Sequence, residues 1–327
     1  MRPTFSPILP LFALICTAAA PPEPKTAART PTEIIAAAPA AAWRAIPAED
    51  LLLIDYEGGG RTVIQLAPSF APVHVANIRA LAGGGYWSGA AIYRVQDNYG
   101  AQWGTNDDKK PLPAGVMKKP PTEYVRSPRG LKIRPFGFAD PYAASVGHSG
   151  GWPIARYRDG TVSLTHCYGT VGVGRDLHPD TGMGGELYAV IGHGPRHLDR
   201  NIAIVGRVIE GIEQMSALPR GTEALGFYKE GQVARRIAGV SLASALPEGS
   251  RPSFEAMRET SASFATYLRA RANRSDDFYR VPAGGVDICN APVPVRRTTA
   301  RREAPPPEEK PTVQIGVVRL SMGAGGE

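Results

Sequence analysis

The residues best suited to chemistry in this 327-residue sequence lie between positions 92 and 104. Arg94 stands in an apolar, β-prone run, Tyr99 follows it by five residues, and Gln102 follows Tyr99 by three. An arginine offers a fixed charge and planar N–H donors, which suit a carbonyl group or a lone pair that develops during a reaction. A glutamine can hold a peptide backbone through its amide. Alone, this spacing is a weak signal, because a single arginine beside a strand is usually a solvated charge.

The elements that must position these residues follow from the flanking sequence. Residues 51–56 and 62–66 are apolar, β-prone runs separated by three glycines, which predicts a hairpin. Apolar residues recur on one helical face over 71–82, and Pro72 suits the first turn, so a helix is predicted there. Residues 90–104 then form the next strand and its loop.

In this order the segments resemble the cyclophilins, a family of prolyl cis/trans isomerases. The family's active-site strand and loop read roughly Phe-His-Arg, two aliphatic residues, Pro-Gly-Phe-Met, any residue and Gln-Gly-Gly. Arg94, Tyr99 and Gln102 fall on its arginine, phenylalanine and glutamine. Residues 61–81 resemble the family's second strand and first helix, and residues 197–211 resemble its Leu-Asp loop and the following strand end. Three matches in the family's order are more specific than any one of them.

The resemblance implies the remaining candidate site residues. Residues 184–192 resemble the family's Gly-Ser-Gln-Phe-Phe strand, with Tyr188 at the second pocket phenylalanine and Glu186 at a substrate-binding glutamine. The following loop supplies the positions of the family's leucine, tryptophan and histidine, here Leu198, His197 and Ile202. Arg94 is the expected catalytic residue, and the other seven are expected to bind substrate. The alternative is a purely structural role, in which Tyr99 and Tyr188 are core aromatics with satisfied hydroxyls.

The fold implied by the resemblance is mainly β, a closed eight-stranded antiparallel barrel capped by two helices, over residues 43–245. The implied activity is rotation about X-Pro bonds, which needs no covalent step, no cofactor and no metal, only tighter binding of the twisted amide. The expected partners are proline-containing segments of unfolded or exported proteins. The runner-up is a catalytically weak peptide-binding or assembly module on the same fold, motivated by the replacements at Glu186, His197 and Ile202.

Two stretches depart from the family. Residues 105–159 are much longer than the family's connection and lack a clear period, so a long loop insertion is expected. Residues 160–169 resemble the central strand and its turn, so the family's Ala-Asn-Ala backbone track is expected at His166-Cys167-Tyr168. Residues 172–175 would then extend that loop. Their glycines do not indicate a nucleotide site, because no strand-turn-helix frames them.

Composition limits the remaining function classes. Hydrophobic residues make up 43% of the chain, enough for a substantial core, while 37 Gly and 31 Pro predict many turns and loops. The net charge of +7 is dispersed and forms no stripe with aromatic residues, so no nucleic-acid partner is expected. A monomer without stable membrane insertion is expected.

The N-terminus resembles an export signal. Residues 1–20 combine a positive start, an apolar run at 8–16 and three alanines, which predicts a signal peptide cleaved near Ala20. The run is too short to span a bilayer. Lipidation of Cys16 is less favoured because no small residue precedes it. The protein is therefore expected in the periplasm or the medium, with residues 21–42 as a flexible Ala/Pro-rich linker.

Cleavage would leave Cys167 and Cys289, which could pair in an oxidising compartment or stay as buried thiols, and the sequence leaves this open. A metal cluster of nearby histidines with Cys167 is disfavoured, because Gly194-Pro195 prevents helical spacing of His193 and His197. Residues 246–327 are expected to form an extension with two parts. The first is an amphipathic helix over 253–271 capped by Ser253, and the second is a disordered Pro/Arg-rich segment over 296–311.

Overall fold

The structure, a computed structural model, describes residues 28–105, 107, 109–276 and 278–298. The α-helices in this part are α1 (Pro31–Ala36), α2 (Pro72–Gly83), α3 (Glu213–Ser216) and α4 (Ala262–Ala272). The strands are β1 (Trp43–Ala45), β2 (Leu51–Tyr56), β3 (Arg61–Leu66), β4 (Ala91–Gln96), β5 (Gly100–Gly104), β6 (Arg134–Pro135), β7 (Ser145–Ser149), β8 (Trp152–Arg156), β9 (Val162–Leu164), β10 (Thr170–Val173), β11 (Leu187–Val190), β12 (Ile204–Glu210), β13 (Arg235–Leu242), β14 (Phe254–Met257) and β15 (Val295–Arg297). The expected signal peptide lies outside the described residues. So does most of the segment expected to be disordered, residues 296–311, but its first two residues, Arg296 and Arg297, belong to β15.

Eight of these strands close an antiparallel barrel in the order β10-β11-β5-β4-β13-β2-β3-β12. The β2 sequence shows why an uninterrupted apolar run is needed. Leu52 and Ile54 pack inside the barrel, whereas Leu51 and Leu53 pack into a second core outside it. Successive side chains of a strand point to opposite faces, so β2 is buried on both. The mainly β fold and the eight-stranded barrel expected from the resemblance are confirmed.

Two helices pack against the interior core of the barrel. Helix α2 begins with Pro72 in its first turn and buries Val75, Ile78 and Leu81 in this core, as the apolar stripe predicts. Helix α3 is only one turn long and contributes Met215 to the same core. In the part of the chain that is described, no helix combines the length and apolar character needed to cross a bilayer.

The stretch expected to be a loop insertion carries its own sheet. Strands β6, β7, β8 and β9 form a four-stranded antiparallel sheet in that order. Because β9 belongs to this sheet, the assignment of residues 160–169 to the barrel is wrong, and β10 is the barrel strand instead. Both stretches are short and β-prone, and residue periodicity cannot tell which sheet a strand joins.

The segments that flank the barrel also fold differently from the expectation. Within the predicted flexible linker, helix α1 begins with a capping box between Thr30 and Glu33. It packs on α4 with Ile34 buried. The predicted helix over 253–271 is two elements. Strand β14 pairs with β1 and β15, and α4 begins only at Ala262, capped by Ser261 instead of Ser253.

A disulfide joins the end of the insertion to the C-terminal extension. Cys167 follows β9 and Cys289 follows α4, 122 positions later, and their sulfurs are bonded. A cross-link over so long a loop removes many conformations from the unfolded chain. We expect the double variant Cys167→Ser/Cys289→Ser to lose about 2–5 kcal/mol of unfolding free energy. Urea unfolding of both proteins, without reductant, measures this.

Reduction supplies the matched control for that comparison. Dithiothreitol should lower the urea midpoint of the wild type to that of the double variant and leave the variant unchanged. An oxidised wild type whose midpoint does not respond to dithiothreitol would show that the bond contributes nothing to stability.

His148 makes the second core sensitive to acid. Its ring is fully buried between Phe136 and Phe264, its Nε2 lies 3.2 Å from the Ala291 carbonyl oxygen, and burial lowers its pKa to about 4. The folded state therefore prefers the neutral ring, while the unfolded chain takes up a proton near pH 6.5. The associated stability is present above pH 6.5 and is lost as the pH falls towards 4.

We expect acidification from pH 7 to pH 4.5 to cost the wild type about 2–3 kcal/mol through this histidine alone. His148→Leu removes the titrating group, so its unfolding free energy should fall by that much less over the same interval. Urea titrations at both pH values measure the two differences. Equal losses in the two proteins would show that His148 is not the acid-sensitive group.

Candidate active site

Arg94 is held at the edge of the barrel by three hydrogen bonds. Strands β4 and β5 place it opposite Gln102, whose Oε1 accepts from Arg94 Nη1 at 3.0 Å. The Arg94 Nη2 donates to Gln96 Oε1 at 2.6 Å, and Nε donates to the Leu225 carbonyl oxygen at 2.7 Å. A guanidinium has five N–H groups, so two remain for a ligand. The side chain is therefore oriented before any ligand arrives.

Beside this guanidinium is a cavity of about 420 Å³, which we name the Arg94 cavity. The candidate residues that line it are Arg94, Tyr99, Gln102, Tyr188, Leu198 and Ile202. The register of β5 with β11 sets Gln102 opposite Tyr188, so two of these side chains meet through strand pairing alone. The structure thus brings six of the eight candidate residues together.

Aromatic rings form the rim beside the arginine. The Arg94 Cζ lies 6.0 Å from the centre of the Tyr99 ring and 5.4 Å from that of Phe227. His197 does not line the Arg94 cavity but stacks on Tyr99, with ring centres 6.4 Å apart. It therefore supports the Tyr99 ring from outside the cavity. Phe227 was not found from the sequence, because it lies far from Arg94 along the chain.

Tyr188 forms the inner wall of the Arg94 cavity. Burial raises its pKa, as it does for Tyr99 at the rim and for Tyr93 nearby. These phenols consequently keep their protons at neutral pH. The Tyr188 hydroxyl lies 3.0 Å from His166 Nε2, so its hydrogen bond is made behind the wall. Tyr188 is therefore a buried aromatic with a satisfied hydroxyl that also lines the cavity.

Glu186 faces a second cavity, of about 660 Å³, that adjoins the first. The two cavities share the side chain of Gln102, whose Nε2 donates to the Tyr93 hydroxyl at 2.5 Å. Gly104 leaves room for the Glu186 carboxylate, which a Cβ at that position would meet. Glu186 is thus a neighbour of the Arg94 cavity instead of one of its lining residues.

Another part of the cavity wall comes from the end of β10 and the loop that follows it. Its lining residues are Val173, Gly174, Arg175, Asp176 and Leu177. The segment His166-Cys167-Tyr168, expected to be the backbone track, does not line the cavity. The glycines at 172 and 174 leave room for neighbouring side chains, since a Cβ at Gly172 would meet Tyr188 and one at Gly174 would meet Gln102 and Glu186.

The histidines and cysteine weighed as metal ligands are engaged elsewhere. Cys167 is in the disulfide, and both ring nitrogens of His166 have hydrogen-bond partners, Asp199 and Tyr188. Over the described ranges no three His, Cys, Asp or Glu side chains are grouped so as to hold a metal ion.

Comparison with known proteins agrees with this geometry. Residues 51–239 match the family model described as cyclophilin type peptidyl-prolyl cis-trans isomerase/CLD. A probable peptidyl-prolyl cis-trans isomerase of Brucella suis biovar 1 (strain 1330) is 29% identical over 168 residues, which cover 50% of this chain and 69% of that protein. The counterpart from Brucella abortus (strain 2308) is 28% identical over the same length and with the same coverage.

A solved structure shows the same fold. A crystallised cyclophilin from Hirschia baltica superposes with a TM-score of 0.63 at 23% sequence identity, over 78% of this chain and 93% of that one. The family match spans more than half of the chain and includes seven of the eight barrel strands and the first part of β13. The chain therefore belongs to the cyclophilin-type peptidyl-prolyl cis-trans isomerase family, as its sequence motifs indicated.

Proposed function

We propose that this protein accelerates rotation about X-Pro bonds of exported proteins, and that Arg94 stabilises the twisted amide. The observation that carries the proposal is the Arg94 cavity, where a preoriented guanidinium faces an apolar wall built by Tyr188 and Leu198. Such a wall suits the pyrrolidine ring of proline, and the cation suits the polar atoms of the amide beside it.

The physical task is to weaken amide resonance. The barrier to rotation is about 18–20 kcal/mol because the C–N bond has partial double-bond character. When the amide twists, the proline nitrogen regains a lone pair that can accept a hydrogen bond. The planar isomers lack this acceptor, so a donor placed there binds the transition state more tightly than either ground state. The two uncommitted N–H groups of Arg94 are such donors.

Proton transfer has no part in this mechanism. The phenols around the cavity, Tyr99 and Tyr188, have raised pKa values because they are buried, so both are protonated at neutral pH. Gln102 lines the cavity next to Arg94 and can hold the substrate backbone through its amide. The acceleration of X-Pro rotation comes from binding and orienting the substrate amide.

The decisive experiment is exchange NMR on the peptide Ala-Ala-Pro-Phe, with and without the wild-type protein. We expect cis/trans exchange to speed up in proportion to the protein concentration, which needs no coupled protease to detect. Peptide shifts without faster exchange would support the alternative, a catalytically weak peptide-binding module. If the peptide shows neither chemical-shift changes nor faster exchange, both the isomerase function and the peptide-binding alternative are contradicted.

Export is part of the proposal. The signal-like residues 1–20 and the disulfide between Cys167 and Cys289 both suit an oxidising compartment outside the cytoplasm. The intact mass of the protein recovered from the periplasm should correspond to cleavage near Ala20. An intact mass of the full chain, recovered only from the cytoplasm, would contradict export.

A further inference from the structure

A buried chain of polar side chains runs from the wall of the Arg94 cavity into the insertion. The Tyr188 hydroxyl meets His166 Nε2 at 3.0 Å, and His166 Nδ1 meets Asp199 Oδ1 at 2.9 Å. The second carboxylate oxygen of Asp199 accepts from Arg196 Nε at 2.5 Å, and Arg196 donates from Nη1 and Nη2 to Asp140 at 2.8 and 3.1 Å. Of these five side chains, only Tyr188 has a role in the proposed function.

The chain of contacts fixes the orientation of the His166 ring. A carboxylate only accepts hydrogen bonds, so Nδ1 carries the hydrogen that faces Asp199. In the neutral ring Nε2 then accepts from the Tyr188 hydroxyl. The backbone N–H of His166 also donates to Asp199, at 2.8 Å, and the imidazole is fully buried. His166 therefore presents a single acceptor, in one direction, behind the cavity wall.

Two segments near the cavity contain residues of this network. Asp199 directly follows the turn Arg196–Leu198, which brings Leu198 to the cavity. His166, which bonds the Tyr188 hydroxyl, follows the last strand of the inserted sheet. The insertion thus reaches the back of the Arg94 cavity.

We infer that His166 is a positioning residue that keeps the Tyr188 ring out of the space meant for proline. The inference rests on the proposed function, because it assigns that space to the substrate. Without its acceptor the buried hydroxyl would be unsatisfied, which is costly. The ring already borders the Arg94 cavity, where the hydroxyl could meet water. The ring would therefore turn into the cavity and compete with proline.

Competition of this kind has a distinct kinetic signature. A closed pocket lowers the fraction of competent molecules, and the apparent dissociation constant rises by the inverse of that fraction. Molecules that do bind substrate have Tyr188 in its normal place beside an unchanged Arg94. KM should consequently rise while kcat stays within about twofold of the wild type.

The test compares four proteins: wild type, His166→Asn, Tyr188→Phe and the double variant. Asparagine can still donate to Asp199 but is too short to accept from the Tyr188 hydroxyl. Dissociation constants for Ala-Ala-Pro-Phe come from NMR shift titrations, and kcat and KM from exchange rates at several peptide concentrations. Near-ultraviolet circular dichroism checks that each variant is folded.

We expect His166→Asn to weaken peptide binding about tenfold. The same substitution in the Tyr188→Phe background should have less than a twofold effect, because no hydroxyl is left to reorient. His166→Gln, which can reach Tyr188 with its amide oxygen, should restore affinity. An equal loss in both backgrounds, or no loss in His166→Asn, would overturn the inference.

Two further outcomes of the experiment can also be interpreted. If His166→Asn does not fold, His166→Met replaces it, since methionine matches glutamine in length and offers no oxygen acceptor. If the wild type binds the peptide without catalysing exchange, the proposed isomerase function fails, and the affinities still decide the role of His166. The two ideas therefore fail on different measurements.

Discussion

Arg94→Ala is expected to lower kcat/KM for Ala-Ala-Pro-Phe isomerisation by about 10²–10³-fold, the loss typical when one preorganised donor is removed from a transition state. The loss should fall on kcat more than on peptide affinity, because the donor's best acceptor exists only in the twisted amide. Exchange NMR at saturating and subsaturating peptide separates the two.

Arg94→Lys tests whether charge alone suffices. A lysine keeps the charge, but its ammonium cannot reproduce the planar fork that bonds Gln96, Gln102 and the Leu225 carbonyl together. We therefore expect most of the activity to be lost in this variant as well. Arg297→Ala is the matched control, since that arginine lies on the extension, is half exposed and pairs with Glu210 at the end of β12. An Arg94→Ala variant with more than a third of wild-type activity would remove Arg94 from the mechanism.

The second large effect is on stability. Arg196→Ala is expected to lower the unfolding free energy by about 3–5 kcal/mol, since breaking a buried ion pair leaves charge without compensation. Arg196 lies between Asp140 and Asp199, and the three side chains are only 3%, 1% and 3% exposed. Burial alone would lower the pKa of Arg196, but its hydrogen bonds to the two carboxylates outweigh burial and raise it.

Urea unfolding of the oxidised protein at pH 7 measures this loss. Arg297→Ala again serves as the control, because an exposed pair is worth about 0–1 kcal/mol. Equal midpoints for the two variants would mean that the buried arginine contributes no more than a surface one. Asp140→Asn should lie between them, since it removes one carboxylate and leaves Arg196 paired with Asp199.

Much of the site was predictable because its residues are set by local pairing. The spacing Arg-x4-Tyr-x2-Gln follows from two adjacent strands, with Arg94 opposite Gln102 in the β4–β5 register. The hairpin of β2 and β3 and the helix α2 carry clear periodicities and were predicted within a residue or two. The periodicity of a short segment is enough to predict such elements without information on the rest of the chain.

The errors all concern contacts between distant parts of the chain. Phe254 and Met257 fit a helical stripe as well as a strand, and pairing of β14 with β1 and β15 decides the matter. Helix α1 is too short to be stable alone and depends on packing against α4. The backbone track was misplaced because β9 and β10 are both short and apolar. No periodicity reports which sheet a strand will join.

The pairing of β1 with β14 has a consequence for biosynthesis. Among the described residues β1 pairs only with β14, which is not made until the ribosome has passed Met257. At about 5–20 residues per second the intervening stretch of about 200 residues takes roughly 10–40 seconds. Until then the outward side chains of β2, Leu51 and Leu53, lack the extension's part of their cover. The nascent chain would therefore expose an apolar surface for most of its synthesis. A version ending at residue 245 would leave Leu51 and Leu53 without this cover, so we expect the barrel to be less stable without the extension.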